Sequence, residues 1–220
     1  MITLYHCQFA RSFRPLWTLE ELGLPYDLKV LPFPPRAQAP EYLKVNPLGT
    51  IPFMVDGETR MSESAAICQY LAAAYGPSPL DVRPGEPGFG DYLNYLHFGE
   101  ATLTVPQAIY LRYTWLEPEA RKLPQAAADY ATIFHGRLRK LEPLLERRDW
   151  LAAGRFTAAD ISVGFAILLA ERLSLDDGIT PAVRRYFGRL QAREGFQRAV
   201  AAQARAAAEQ GVAPAAYRRS

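Results

Sequence analysis

The chain has 220 residues, 49% of them hydrophobic and 22% charged, with a formal net charge of +2. That balance is globular rather than disordered, the length suits one medium domain or two small ones, and near neutrality argues against a dedicated nucleic-acid surface. Two cysteines, Cys7 and Cys68, and three histidines supply neither a Cys-x-x-Cys pair nor metal-ligand spacing, so neither a disulfide framework nor a metal centre is expected. From the start, Ile2-Thr3-Leu4-Tyr5 is short and rich in β-formers, and reads as a buried strand. The period then changes. Phe13, Leu16, Trp17, Leu19 and Leu22 recur at helical spacing, with Ser12 as the expected cap and Gly23 as the stop. A second strand is expected over 28–31, halted by Pro32, Pro34 and Pro35, and a brief helix over 40–45. Two short strands, 53–55 and 59–61, flank Asp56-Gly57, a strong hairpin signal. A helix over 65–75, capped by Ser62 or Glu63, completes a β-α-β-α-β-β-α order.

Proline and glycine cluster between residues 76 and 88, and beyond them the strand signals stop. Helices are expected over 89–113, 122–147, 158–173, 181–192 and 196–209. Thr157 and Asp160 form a variant of the capping box, which makes Asp160 a folding residue rather than a catalytic acid. From Arg184 to Glu209 six arginines face two glutamates. Their helical spacing reads as a solvated face and not as a nucleic-acid site. The beginning of the sequence lacks a basic region followed by an apolar signal segment, and no apolar run approaches ~18 residues. A reducing, cytoplasmic setting without membrane or nucleic-acid partners is therefore expected.

Asn46-Pro47-Leu48-Gly49-Thr50-Ile51-Pro52, followed by Glu63-Ser64 ahead of a helix, resembles the glutathione-binding half of the glutathione transferase superfamily. The stretch from Gly154 to Ser162 resembles that family's second-domain helix-start motif, so the resemblance runs through residues 2–209. It implies a thioredoxin-like α/β glutathione-binding domain over 1–77, a linker over 78–88 and an all-α substrate-binding domain over 89–220. It also implies a cis bond before Pro52, pairing of the Ile51 backbone with the cysteinyl part of glutathione, and a γ-glutamyl site at Glu63 and Ser64. Glutathione would be the cosubstrate, no metal would be needed, and the assembly would be a homodimer.

The family places its thiol-activating donor just after the first strand. Here Ala10-Arg11-Ser12 resembles the bacterial cysteine-bearing class with arginine at the cysteine position, which excludes disulfide exchange through that position. Ser12 is the first candidate donor to a thiolate, with Tyr5, Arg11 and backbone amides as alternatives. Cys7 reads as an inert buried thiol, or as a mixed-disulfide partner if exposed at the strand end. Cys68 reads as packing. Among the aromatic residues between 92 and 115, Tyr92 and His97 are the candidates for contact with a hydrophobic electrophile. The leading function is conjugation of glutathione to such an electrophile. Glutathione-dependent peroxide or disulfide reduction, and noncatalytic glutathione binding by an interaction protein, are the alternatives.

Overall fold

The computed structural model describes residues 1–213, so the last residues of the expected helical domain lie outside the described residues. The first compact unit is Met1–Asp81 joined by the segment that begins at Gln191; the second is Val82–Leu190. In the first unit, β1 (Ile2–His6), β2 (Tyr26–Val30), β3 (Phe53–Asp56) and β4 (Thr59–Met61) form a four-stranded sheet in the order β2-β1-β3-β4. β1 pairs parallel with β2 across the helix α1 (Phe13–Leu22), and antiparallel with β3. β3 and β4 close a hairpin at Gly57, whose φ of 58° suits glycine. The helix α3 (Ser64–Ala74) follows, and the phenols of Tyr70 and Tyr75 both donate to Asp56 Oδ2, at 2.9 and 2.6 Å, fastening the helix to the hairpin.

Local chemistry explains most boundaries. Gly23 ends α1 in the left-handed region, its amide bonded back into the last turn. Residues after β2 do not stay extended. The prolines there start a short helix, α2 (Pro35–Gln38), because proline fits a helix's first position, and a 3-10 turn spans Pro40–Lys44. Ser12 departs from its expected role. It stands at the N-cap position of α1 in helical geometry and makes no cap bond.

The chain then becomes all helical through α4 (Phe89–His97), α5 (Val105–Leu111), α6 (Pro124–Leu138), α7 (Glu142–Leu145), α8 (Ala158–Arg172) and α9 (Pro181–Gln191). The expected order of a thioredoxin-like mixed α/β portion followed by an all-α portion is therefore what the chain adopts. Nearly every residue of α8 is buried, which makes it the axis of the second unit. Thr157 and Asp160 form the expected reciprocal cap at its start. The single helix expected over 89–113 is instead interrupted by wider π turns at Phe98–Thr104 and Arg112–Leu116. Pro106 explains the first, since it lacks an N–H and crowds the carbonyl four residues back; a wider turn relieves the crowding. Thr104 Oγ1 donates to the Gly99 carbonyl at 2.8 Å within that turn. A Cβ on Gly99 would lie 2.5 Å from Ser162 of α8, so only glycine permits this helix crossing. The last helix, α10 (Glu194–Glu209), belongs to the first unit, where it packs on α1 and β2.

Candidate functional site

Three segments of the first unit converge. The turn after β1 carries Cys7 and Ala10, and both pack with Ile51, Phe53, Ala39 and Tyr42 in one buried cluster. The first turn of α1 is tied to the start of α3, because buried Arg14 donates from Nη1 to Ser64 Oγ at 3.2 Å. The β1–α1 turn, the Ile51 segment and the beginning of α3 are thereby held in one neighbourhood.

The Ile51 segment is built by Asn46 and Gly49. Buried Asn46 accepts from the Leu48 amide at 3.1 Å through Oδ1 and donates from Nδ2 to the Thr50 carbonyl at 2.9 Å. Tyr42 OH donates to the same carbonyl at 2.8 Å, and Arg36 Nη2 donates to the Leu48 carbonyl at 2.6 Å. Gly49 has φ +61°, and a Cβ there would meet Leu43 Cδ2 at 2.9 Å. The Ile51–Pro52 peptide bond is cis, as the resemblance implies. At α3, Glu63 occupies the N-cap position with an extended backbone and an exposed side chain that makes no cap bond, while Ser64 opens the helix and is buried.

The candidate donors divide by environment. Ser12 is fully buried, and its hydroxyl is engaged with one residue: Oγ accepts from the Cys7 amide at 3.2 Å and donates to the Cys7 carbonyl at 3.3 Å. Arg11 is half-buried beside it in sequence. Tyr5 lies on the sheet face opposite Leu4 and His6, its ring against Tyr42 and Phe53 at centroid distances of 5.4 and 6.2 Å. Burial pushes the Cys7 thiol far above the ordinary thiol range, and Sγ lies 3.7 Å from the Pro32 carbonyl. Cys7 is thus a packed thiol and not an exposed nucleophile; Cys68 is buried as well. Tyr92 and His97 belong to the second unit, where Tyr92 is wholly buried and His97 is exposed.

Two residues of this neighbourhood escape a reading of the sequence. Arg14 is a lone charge inside the apolar stripe of α1, and that misfit was its one signal. Gln203 is distant in sequence yet sits against the β1–α1 turn. Its Oε1 lies 3.0 Å from the Phe9 amide and 3.1 Å from His6 Nε2. Burial lowers the His6 pKa to about 4, so the ring is neutral at physiological pH. Among the described residues, no group of three or more His, Cys, Asp or Glu side chains is placed to hold a metal ion. No helix among them is long and apolar enough to cross a membrane.

Known proteins resemble this chain over most of its length. Residues 7–74 match the family model described as "Glutathione S-transferase, N-terminal domain". Glutathione S-transferase 3 of Schizosaccharomyces pombe is 32% identical over 189 residues, spanning 78% of this chain and 75% of that protein. The structure of the glutathione transferase URE2P6 from Phanerochaete chrysosporium, in complex with oxidised glutathione, superposes with a TM-score of 0.79 at 28% identity, over 93% of this chain and 97% of that one. A glutathione transferase from Methylococcus capsulatus gives 0.80 at 25% identity, over 93% and 99%.

Proposed function

The chain belongs to the glutathione S-transferase family, and from that premise we propose that it joins the glutathione sulfur to a hydrophobic electrophile. The observation that carries this reading is the Arg14–Ser64 bond, which fastens the start of α3 to the first turn of α1 within the unit that also holds Ile51. In this reading the Ile51 backbone pairs with the cysteinyl portion of the tripeptide. The Glu63 carboxylate takes the γ-glutamyl ammonium, and Ser64 with the first amides of α3 takes its carboxylate. Arginine can only donate, so Ser64 Oγ is the acceptor in its bond with Arg14.

Activation of the sulfur needs the thiolate favoured over a thiol of ordinary pKa ~8.5. The amino end of α1 and the Arg11 guanidinium both supply positive potential there. Ser12 contributes its hydroxyl only by turning away from the Cys7 carbonyl, giving up a net ~1 kcal/mol. Backbone amides and Arg11 therefore carry the greater share, with Ser12 holding the turn closed. Tyr5 contributes to the wall below through its aromatic contacts. Tyr92, wholly buried, supports its own helix within the second unit, and His97 is exposed on that unit's surface.

In the reaction, the thiolate attacks an electrophilic carbon, a carbon–sulfur bond forms and the leaving group departs with its electron pair. The enzyme supplies orientation and charge stabilisation. The test is mass analysis of products from wild type, glutathione and an aryl chloride bearing nitro groups. A product carrying one glutathione per ring, with chloride released in equal amount, is expected. With a peroxide as acceptor, oxidised glutathione as the only enzyme-dependent product would favour the reductase reading. Binding without turnover on either acceptor would favour an interaction protein.

A further inference from the structure

We propose that Gln203, in the middle of α10, is a positioning residue that holds the β1–α1 turn in the shape needed to activate the glutathione sulfur. This rests on the glutathione reading above. The Phe9 amide can only donate, so the carboxamide oxygen of Gln203, and not its nitrogen, must face it at 3.0 Å. The same oxygen lies 3.1 Å from His6 Nε2, so that nitrogen must carry a hydrogen, and one oxygen receives donors from both the last residue of β1 and the turn beyond it. All three partners lie in the buried interior.

The turn has a reason to need holding. Phe9 has φ 54°, in the left-handed region that costs a non-glycine residue about 1 kcal/mol. Immediately after it, the Ala10 amide bonds to the Cys7 carbonyl at 3.1 Å and the Phe13 amide to the Ala10 carbonyl at 2.8 Å, so the direction of Phe9 sets where Arg11 and the first amides of α1 point. The Gln203 oxygen fixes that direction from outside the turn.

α10 is anchored independently of this contact. Arg193 grips both carboxylate oxygens of Glu21 at 2.8 Å, and Arg198 bonds to Glu20. Gln210 donates to the Leu28 carbonyl at 2.8 Å and accepts from the Val30 amide at 2.9 Å, continuing the ladder at the edge strand β2. Phe196 packs edge-on against Phe13 and Trp17. Replacing Gln203 alone therefore loosens the turn without undocking the helix.

The experiment compares full-length wild type with Gln203→Met, which keeps the volume but loses the acceptor, and Gln203→Glu, which keeps an acceptor oxygen. Amide hydrogen exchange is read at Phe9 and Ala10, the bound thiol pKa from thiolate ultraviolet absorbance, and kcat and KM with an aryl chloride. Gln203→Met should exchange faster at Phe9, raise the thiol pKa and lower kcat roughly tenfold while KM for glutathione changes little; Gln203→Glu should restore the Phe9 protection, although its carboxylate itself opposes a thiolate. Unchanged Phe9 protection in Gln203→Met would overturn the proposal. So would a loosened turn with wild-type thiol pKa and kcat, or equal loss of Phe9 protection in both variants. If Gln203→Met fails to fold, Gln203→Asn, whose shorter carboxamide cannot reach both donors, carries the same comparison. A wild type that shows no glutathione binding overturns the underlying reading along with the proposal, and is told apart because the failure then precedes any variant.

Discussion

Asp160→Ala is expected to lower the stability of the protein by about 3–5 kcal/mol, because it strands several buried donors at once. Asp160 is fully buried at the start of α8. Its Oδ1 accepts from the Leu151 amide at 3.1 Å and the Tyr186 hydroxyl at 2.9 Å, and its Oδ2 from the Thr157 amide at 2.8 Å and the Thr157 hydroxyl at 3.2 Å. Burial pushes the carboxyl up to about 6, and these donors pull against it, so the group is still ionised at neutral pH. Asp160→Asn should also destabilise, since its NH₂ must face one pair of donors whichever way the amide turns. Urea denaturation followed by circular dichroism checks both. A wild-type midpoint for Asp160→Ala would mean that the cap does not support α8.

The second large effect is expected at Gly49, and on ligand affinity more than on global stability. A side chain there must adopt φ +61° and also displace Leu43 and Arg36, whose atoms lie 2.9–3.2 Å from the Cβ position. A β-branched residue tolerates that backbone region poorly. The turn it would distort delivers Thr50, Ile51 and Pro52, the proposed backbone edge for glutathione. Gly49→Val should therefore weaken glutathione binding by at least roughly tenfold, or ~1.4 kcal/mol, while the second unit keeps its helical signal. Gly49→Ala should show a smaller loss in the same direction. Wild-type affinity in folded Gly49→Val would remove this turn from the binding edge.

What the sequence revealed followed the range of the interactions. The Asp56-Gly57 hairpin, the Gly23 stop and the Thr157/Asp160 cap depend on residues a few places apart, and each formed as expected. The spacing from Asn46 to Pro52 was legible for the same reason, since Asn46 bonds within its own turn. Ser12 carries the signature of a cap, since serine before an apolar helical run commonly is one. Its hydroxyl instead closes the turn back to Cys7, a local choice with nearly the same sequence signature. Tyr92 shows the limit of periodicity: an aromatic residue at helical spacing looks alike whether it faces a ligand or a core. Arg14 and Gln203 were hidden more deeply. Their partners are 50 and, for Gln203, 194 and 197 positions away, and only the folded chain brings them to α3 and the β1–α1 turn. The return of α10 to the first unit was hidden likewise, because the arginines there read as solvated while Arg193, just before the helix, and Arg198 within it grip α1.

The central claim is that glutathione is held by the Ile51 edge and the start of α3. Calorimetric titration of glutathione into wild type, Glu63→Ala and Ser64→Ala, each first shown by circular dichroism to be folded, tests it most directly. The account predicts saturable binding to wild type and a clear loss of affinity in both variants, on the order of 1–3 kcal/mol for each charge-assisted contact removed. Unchanged affinity in both folded variants, or no binding to wild type, would contradict it.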